Sequence, residues 1–321
     1  MKVNFGYVAM SVVLEDASPS RTVTVKNYSQ MADKSPIVAM SKVRKTTKDN
    51  LVSTFRILKH NQGNGVQLYR FSSKMIPLAT HPLLANWDYL QEFVGLFQEM
   101  GEYILANRMR VSFHPDHYTI INSPREELFK SALNDLTHQY LILKAMGVQQ
   151  TAKMVIHIGG GYNNKEEAIK RFKKNWSLLP PELQKTIILE NDDKTYSAEE
   201  VLDLCESIKT AMVLDIHHYA CNKAGQNLND LLPRIISTWK DSNRPPKLHI
   251  SSPKSPGDMR SHHDYVNPDD LYPVLMILKE FNNEIDIMVE AKRKDEAMFE
   301  LVKSLAYYPE IRKTGPATLE L

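Results

Sequence analysis

Eight short runs rich in β-branched and aromatic residues recur along the chain, each followed by a longer stretch of helical period, and this alternation restricts the fold more than any other feature. The runs are Val3–Met10, Gly65–Phe71, Met109–His114, Lys153–Ile158, Thr186–Glu190, Ala211–His217, Lys247–Ser251 and Ile285–Glu290. The intervening periodicity predicts helices over Thr47–Asn61, Trp87–Asn107, Pro124–Met146, Lys165–Leu178, Ser197–Lys209, Leu228–Trp239, Asn267–Phe281 and Asp295–Tyr307. Several open on capping signals such as Ser123-Pro124-Arg-Glu and Ser197-Ala-Glu-Glu. Eight βα units without a Pro/Gly/Ser-rich linker close most economically as one (β/α)8 TIM barrel over residues 1–321, with long βα loops at one mouth. A doubly wound open sheet fits less well, because no Gly-x-Gly-x-x-Gly turn follows the first run and Gly159-Gly-Gly161 lacks the Lys-Ser/Thr of a phosphate loop.

Six of the runs end in metal-type ligands: His114, His157, Glu190, Asp215 with His218 just beyond it, His249 and Glu290. In a parallel barrel these ends share one mouth, where active sites are built. Asp215 and His218, three apart where strand gives way to loop, can both turn toward that mouth, which sends His217 elsewhere. A lone histidine at such a place is usually a satisfied structural group, but that reading must hold many times over here. Mixed imidazole and carboxylate ligands without thiolate suit Mn2+, Zn2+ or Fe2+ better than Ca2+. So many ligands exceed the capacity of one ion, so two or three divalent ions are expected. His81, in Ala79-Thr-His-Pro82, and one of the pair His262-His263 are loop candidates for the same site, and spacing alone does not choose within the pair.

Clustered divalent ions activate water and stabilise both the attacking and the leaving oxygen at phosphorus, so phosphodiester hydrolysis is the leading chemistry. Sugar isomerisation or epimerisation on the same kind of barrel is one alternative, and a catalytically silent barrel that only binds DNA is another. Glu190, from a central strand, is expected to bridge two ions and, with Glu290 and Lys247, to carry the reaction. Lys247 lies two residues before His249, so strand alternation aims both at the same face, and an inward lysine beside cations calls for an anion such as phosphate.

A net charge of +2 announces no polyanionic partner by itself. Local clustering does: the long first connection, Ser11 to Thr46, carries Arg21, Lys26, Lys34, Lys42, Arg44 and Lys45 and reads as a basic loop on the active-site face. Cys205 and Cys221 form no metal-binding or redox spacing. The first residues lack the apolar run of a signal peptide and no later segment reaches the roughly 20 apolar residues that span a bilayer. A soluble, cytoplasmic monomer without membrane partners is expected.

These residues resemble those of the UV damage endonuclease family, barrel enzymes related to endonuclease IV and more distantly to the xylose isomerase-like barrels. The resemblance runs along nearly the whole chain. It rests on Gly6-Tyr7-Val8, Pro77-Leu-Ala-Thr-His81-Pro, Ser112-Phe-His114-Pro-Asp-His-Tyr118, His157-Ile-Gly-Gly160, Leu189-Glu-Asn-Asp192, Leu214-Asp-Ile-His-His218, Lys247-Leu-His249-Ile-Ser-Ser, His262-His-Asp-Tyr265 and Met288-Val-Glu-Ala-Lys292. It implies an Mn2+-favouring DNA repair enzyme that nicks damaged duplex DNA immediately 5′ of pyrimidine dimers, (6-4) photoproducts and abasic sites. It assigns metal binding to His81, His114, His157, Glu190, Asp215, His218, His249, His262 and Glu290, and so favours His262 over His263. It also implies lesion contacts at Tyr7 and at the pair His117-Tyr118, where the family usually carries Gln-Tyr. Arg44 and Lys45, in the basic segment, are expected to meet backbone phosphates.

Overall fold

The computed structural model describes residues 1–225, 227–242 and 244–321. Seven strands follow one another in parallel: β1 Lys2–Val8, β2 Leu68–Arg70, β3 Arg110–Phe113, β4 Lys153–His157, β5 Ile187–Glu190, β6 Met212–Asp215 and β7 Lys247–Ile250. After an antiparallel hairpin of β8 Pro253–Ser255 and β9 Asp258–His262, strand β10 Glu284–Val289 pairs with β7 on one side and β1 on the other, with Phe5 opposite Ile287. This closes a (β/α)8 barrel whose eight strands are the eight apolar runs. A final antiparallel pair, β11 Arg312–Gly315 and β12 Thr318–Glu320, lies against Lys2–Asn4 below the point where β2 joins β1.

The helices are α1 Val25–Ala32, α2 Pro36–Gly63, α3 Tyr89–Glu92, α4 Val94–Ala106, α5 Glu126–Ala145, α6 Lys165–Ser177, α7 Pro181–Thr186, α8 Ala198–Ile208, α9 Ile216–Cys221, α10 Leu228–Ser237, α11 Pro268–Leu278 and α12 Lys294–Leu305. The main core lies between helices and strands, where Phe5, Tyr69, Phe113, Leu189 and Leu214 meet the apolar faces of the helical layer. Inside the barrel two small clusters, Val8 with Leu68 and Met288, and Val155 with Ile188, Val213, Ala211 and Trp239, make a floor beneath the strand ends. Below that floor runs a polar belt: Arg110 clasps Asp286 through two hydrogen bonds of 2.7 and 2.6 Å, and Asn4 adds one of 3.2 Å. Among the described residues no helix is long and apolar enough to cross a membrane.

The basic segment is not the loop that its composition suggests. Most of it is helical: α1 starts at a Thr24 cap, and α2 starts at Ser35-Pro36, eleven residues before the expected helix. Its inward face, Ala39, Val43, Thr46, Thr47, Asn50 and Leu51, keeps the helical period, but half of those positions are polar and mask the signal. Asn50 is buried because its side chain bonds the backbone of Arg21 and of Met75, tying the segment to the β2 loop. The expected helix over Trp87–Asn107 breaks at Phe93 into α3 and α4. The β8–β9 hairpin and the C-terminal strand pair carry no period-2 apolar signal, since most of their residues are exposed, and were not foreseen.

Gly6 allows β1 and β2 to approach inside this floor: a Cβ there would lie 2.1 Å from the Leu68 carbonyl oxygen. Gly6→Ala is expected to displace β2 and lower the thermal midpoint by about 5–10 °C, with a cost of a few kcal/mol for overpacking. An unchanged melting curve would show that the strands yield freely at this point.

Candidate metal centre

The short parallel strands all end at one level, and the last residue of several has an imidazole or carboxylate side chain that could hold a metal. His157 ends β4, Glu190 ends β5 and Asp215 ends β6, while His114, His249 and Glu290 sit within a residue of the ends of β3, β7 and β10. At β6 the local sequence does more than end a strand. Asp215 is the N-cap of α9, its carboxylate accepting the backbone N–H of His218 at 2.7 Å, so the first helical turn brings the His218 ring round beside it. His217, one residue earlier, turns away and is held by Ser251 Oγ and the Met259 carbonyl, each at 2.6 Å. Asn191 braces the turn, exchanging hydrogen bonds of 2.8 and 3.0 Å with the backbone of Asp215.

Glu190, 1% exposed, is the centre of the arrangement. One of its oxygens meets His114 Nε2 at 2.8 Å and His157 Nε2 at 3.5 Å. The other meets His249 Nδ1 at 2.7 Å and lies 4.0 Å from His218 Nδ1. His249 also reaches Glu290 at 3.0 Å, and Arg70, at the end of β2, forms an ion pair with Glu290. Two groups of ligand atoms each fall within 4.8 Å of one another: His114, His157 and Glu190, and Glu190, Asp215, His249 and Glu290. Among the described residues, Asp215 Oδ2 and His249 Nε2 are buried with no hydrogen-bond partner. An orphaned buried carboxylate oxygen in a mixed imidazole and carboxylate set is what a divalent cation satisfies, so the residues fit divalent metals.

Electrostatics bind the cluster together. Burial pulls His249 toward the neutral form, but Glu190 and Glu290 overcome it and raise the imidazole to about 9. His218 follows the same balance, raised to about 9 by Asp215, Glu190 and Glu290 against burial. His114 goes the other way, since burial, Arg70 and His157 outweigh the hydrogen bond from Glu190. Burial works to raise the Glu190 carboxyl, yet His249, His157 and His114 hold it well below the usual carboxylate range.

The remaining expected residues are spread more widely. His262, at the end of β9, faces the cluster with its ring 6.4 Å from that of His218, and its Nδ1 meets the Glu290 carbonyl at 2.8 Å, whereas His263 is exposed. His81 belongs to neither ligand group: its Nδ1 accepts the Leu83 N–H at 3.2 Å, and the residue lines a neighbouring cavity with Asp116, Tyr118 and His138. Lys247 is buried one step below His249, opposite Asp286, and its Nζ forms no hydrogen bond among the described residues. Burial lowers this ammonium to about 8, with Asp286 opposing and Arg110, Arg70 and Arg244 assisting. Tyr118 projects into solvent, 77% exposed, its ring 3.9 Å from that of His117. Tyr7 departs from expectation. It is fully buried, donates to Asn61 of α2 at 2.6 Å and packs edge-on to Tyr69, because it alternates with the inward Gly6 and so faces the helical layer. Arg44 and Lys45 are exposed on α2, Arg44 in an ion pair of 3.0 Å with Glu92. Arg70 and Asn191 were missed by sequence reasoning, having no ligand chemistry to mark them.

Known proteins resemble this chain along its length. The sequence profile of the family described as UV-endonuclease UvdE matches residues 3–321. The UV DNA damage endonucleases of Bacillus mycoides (strain KBAB4) and Bacillus cereus (strain 03BB102) are 39% and 38% identical over 320 residues, covering 100% of either chain. The crystal structure of SacUVDE superposes with a TM-score of 0.82 at 30% identity, covering 94% of this chain and 98% of that one.

A cation that takes the ring nitrogens of His218 and His249 must release the protons that hold them charged up to about pH 9. Their raised values stabilise the cation-free protein below the unfolded value near 6.5, a contribution lost as pH climbs through about 9. The thermal stabilisation given by Mn2+ over chelator-treated protein is therefore expected to grow by roughly 5 °C or more from pH 6 to pH 9. Equal increments at both pH values would exclude proton release from these rings.

Proposed function

The chain belongs to the UV-endonuclease UvdE family, and from that premise we propose that it nicks damaged duplex DNA immediately 5′ of the lesion by hydrolysis, leaving a 3′-hydroxyl and a 5′-phosphate. The lesions are cyclobutane pyrimidine dimers, (6-4) photoproducts and abasic sites. The cofactors are two or three divalent ions, with Mn2+ favoured over Zn2+. The observation that carries this reading is the sharing of one buried carboxylate, Glu190, by two groups of ligand atoms.

In this reading His114, His157 and Glu190 would hold one ion, and Glu190, Asp215, His249 and Glu290 would hold a second. His218, His262 and His81 would complete the set. Bound there, divalent cations would supply charge neutralisation and Lewis-acid polarisation at the scissile phosphate and lower the pKa of water. The protein's own part is to hold ligands that cannot drift: Glu190 is fixed by its imidazoles, Asp215 by the α9 cap and the Asn191 brace, and Glu290 by Arg70. Lys247, aimed inward beneath His249 with an unpaired ammonium, is assigned the stabilisation of charge that develops on the phosphate. The floor of Val8, Leu68 and Met288 closes the barrel below the ligands and keeps bulk water to one side.

Recognition is assigned to the rim. An exposed tyrosine held against an imidazole, the two rings tilted by 41°, is suited to enter a distorted duplex and stack on unpaired bases, a contact indifferent to base identity and so tolerant of chemically different lesions. The solvent faces of α1 and α2 and the turn between them, with Lys26, Lys34, Lys42 and Lys45 exposed, offer a surface for backbone phosphates. Binding there weakens steeply with salt.

A duplex with a single dimer, incubated with the protein and Mn2+ and mapped at nucleotide resolution, tests the reading. One cut is expected, at the phosphodiester 5′ of the dimer, and none with chelator present. Glu190→Gln should lower the rate by about 10³-fold or more, while circular dichroism remains that of the parent. Cutting without divalent ions, or turnover of small sugars with no cut, would reject it.

Tyr118→Ala separates recognition from chemistry. It is expected to weaken binding to damaged duplex by about tenfold, the worth of one base stacking contact, with Mn2+ binding unaltered. Unchanged affinity for the dimer would remove Tyr118 from the lesion contact.

A further inference from the structure

The opposite mouth of the barrel, where the strands begin, holds a cavity of about 860 Å3. Its walls come from the residues that precede or open β3 to β7, and they bring together Arg108, Arg110, Lys153, Lys185, Lys209 and Arg244 with Asp241 as the acid among them. Arg110 is already committed to Asp286, and the Lys153 ammonium donates to the Lys185 carbonyl at 2.8 Å. The other four cations form no ion pair with any described residue. Such convergence is unfavourable by itself. Burial disfavours the Arg244 charge and Arg110 repels it, and Lys153 is disfavoured by burial and by Arg244 in turn. In barrels this face commonly serves stability, and unpaired like charges around a hollow do not stabilise a fold.

We propose that this mouth is a binding site for a small phosphorylated anion of nucleotide size, separate from the metal centre. A bare phosphate would leave most of the cavity unfilled, whereas its volume falls within the range of about 300–1,000 Å3 usual for small organic ligands. The lining is divided to match: the guanidinium and ammonium groups meet phosphate oxygens, Gln150, Thr151 and Gln184 add uncharged hydrogen-bonding groups, and Ile104, Leu105 and Met109 give an apolar wall for a base or sugar. The site lies outside the path of a duplex engaged at the ligand-bearing mouth, so occupancy and nicking are compatible.

Titration calorimetry on the full chain, freed of divalent cations on a chelating resin, decides the matter with inorganic pyrophosphate and ADP as probes. Charge reversal at Lys185 and Lys209 leaves the metal centre intact, so any anion binding there would persist in the double variant and is told apart from binding at this mouth. One saturable site is expected, weakened by about tenfold or more in the double variant Lys185→Glu, Lys209→Glu, whose substituted side chains are exposed. Nicking of a damaged duplex by the Mn2+-loaded variant should stay within about twofold of the parent. Tighter binding of ADP would assign a nucleotide, and equal binding an inorganic polyphosphate. No saturation by either probe at millimolar concentration would overturn the proposal. So would undiminished binding by the variant, or a loss of nicking parallel to the loss of anion binding, which would make this mouth part of the DNA site.

Discussion

A carboxylate sealed from water at the mouth of a barrel is the constraint on which the rest of this structure turns. Glu190 has almost no exposed surface, and an isolated charge there would cost several kcal/mol or abandon its ionised form. It keeps its charge because His114, His157 and His249 converge on its two oxygens from three other strands, with His218 just beyond. Around it, Asp215 and Glu290 add two acids, and protonated His218, protonated His249 and Arg70 add three cations. Three negative charges thus face three positive ones. The charges within the cluster therefore balance one another.

That neutrality also defines what an incoming ion must do. An ion bound there would displace the protons of His218 and His249 and share Glu290 with Arg70. The ligand geometry is otherwise already made, since the ligands ride on strand ends fixed by ladders on both sides and adjust only by side-chain rotation. Asn191 and the α9 cap show the same economy at Asp215, where backbone hydrogen bonds, not the ligand's own contacts, set its direction.

The barrel and the ring of imidazoles and carboxylates at its mouth were legible in the sequence for a physical reason. Buried parallel strands read as apolar runs, and an imidazole or carboxylate at the end of such a run stands out against its surroundings. What the chain hid follows from the converse. Helix α2 buries Thr46, Thr47 and Asn50, whose partners lie far off in sequence, so its inner face looked like part of a loop. Arg70 ends a strand of three residues and meets Glu290 only because β10 closes the barrel beside β1 and β2, a proximity that no local pattern encodes. Tyr7 was assigned to the lesion by resemblance, but period-2 alternation with Gly6 turns it toward α2. His262 reaches the cluster on a hairpin of mostly exposed residues, whose placement spacing could not foretell.

The two mouths of the barrel carry opposite chemistry, and the polar belt between them keeps them apart. Arg110 belongs to the lower cavity, yet both of its hydrogen bonds go to Asp286, which also takes Asn4. Asp286 therefore stands between the basic cavity and Lys247, offsetting positive charge on both sides. With this acid removed, Lys247 would face Arg110, Arg70 and Arg244 unopposed, and its ammonium would lie lower still. A barrel that concentrates cations at one end and cation ligands at the other needs such a divider. Asp286 is placed to act as it, held by a bidentate guanidinium that leaves it little freedom to turn toward either mouth.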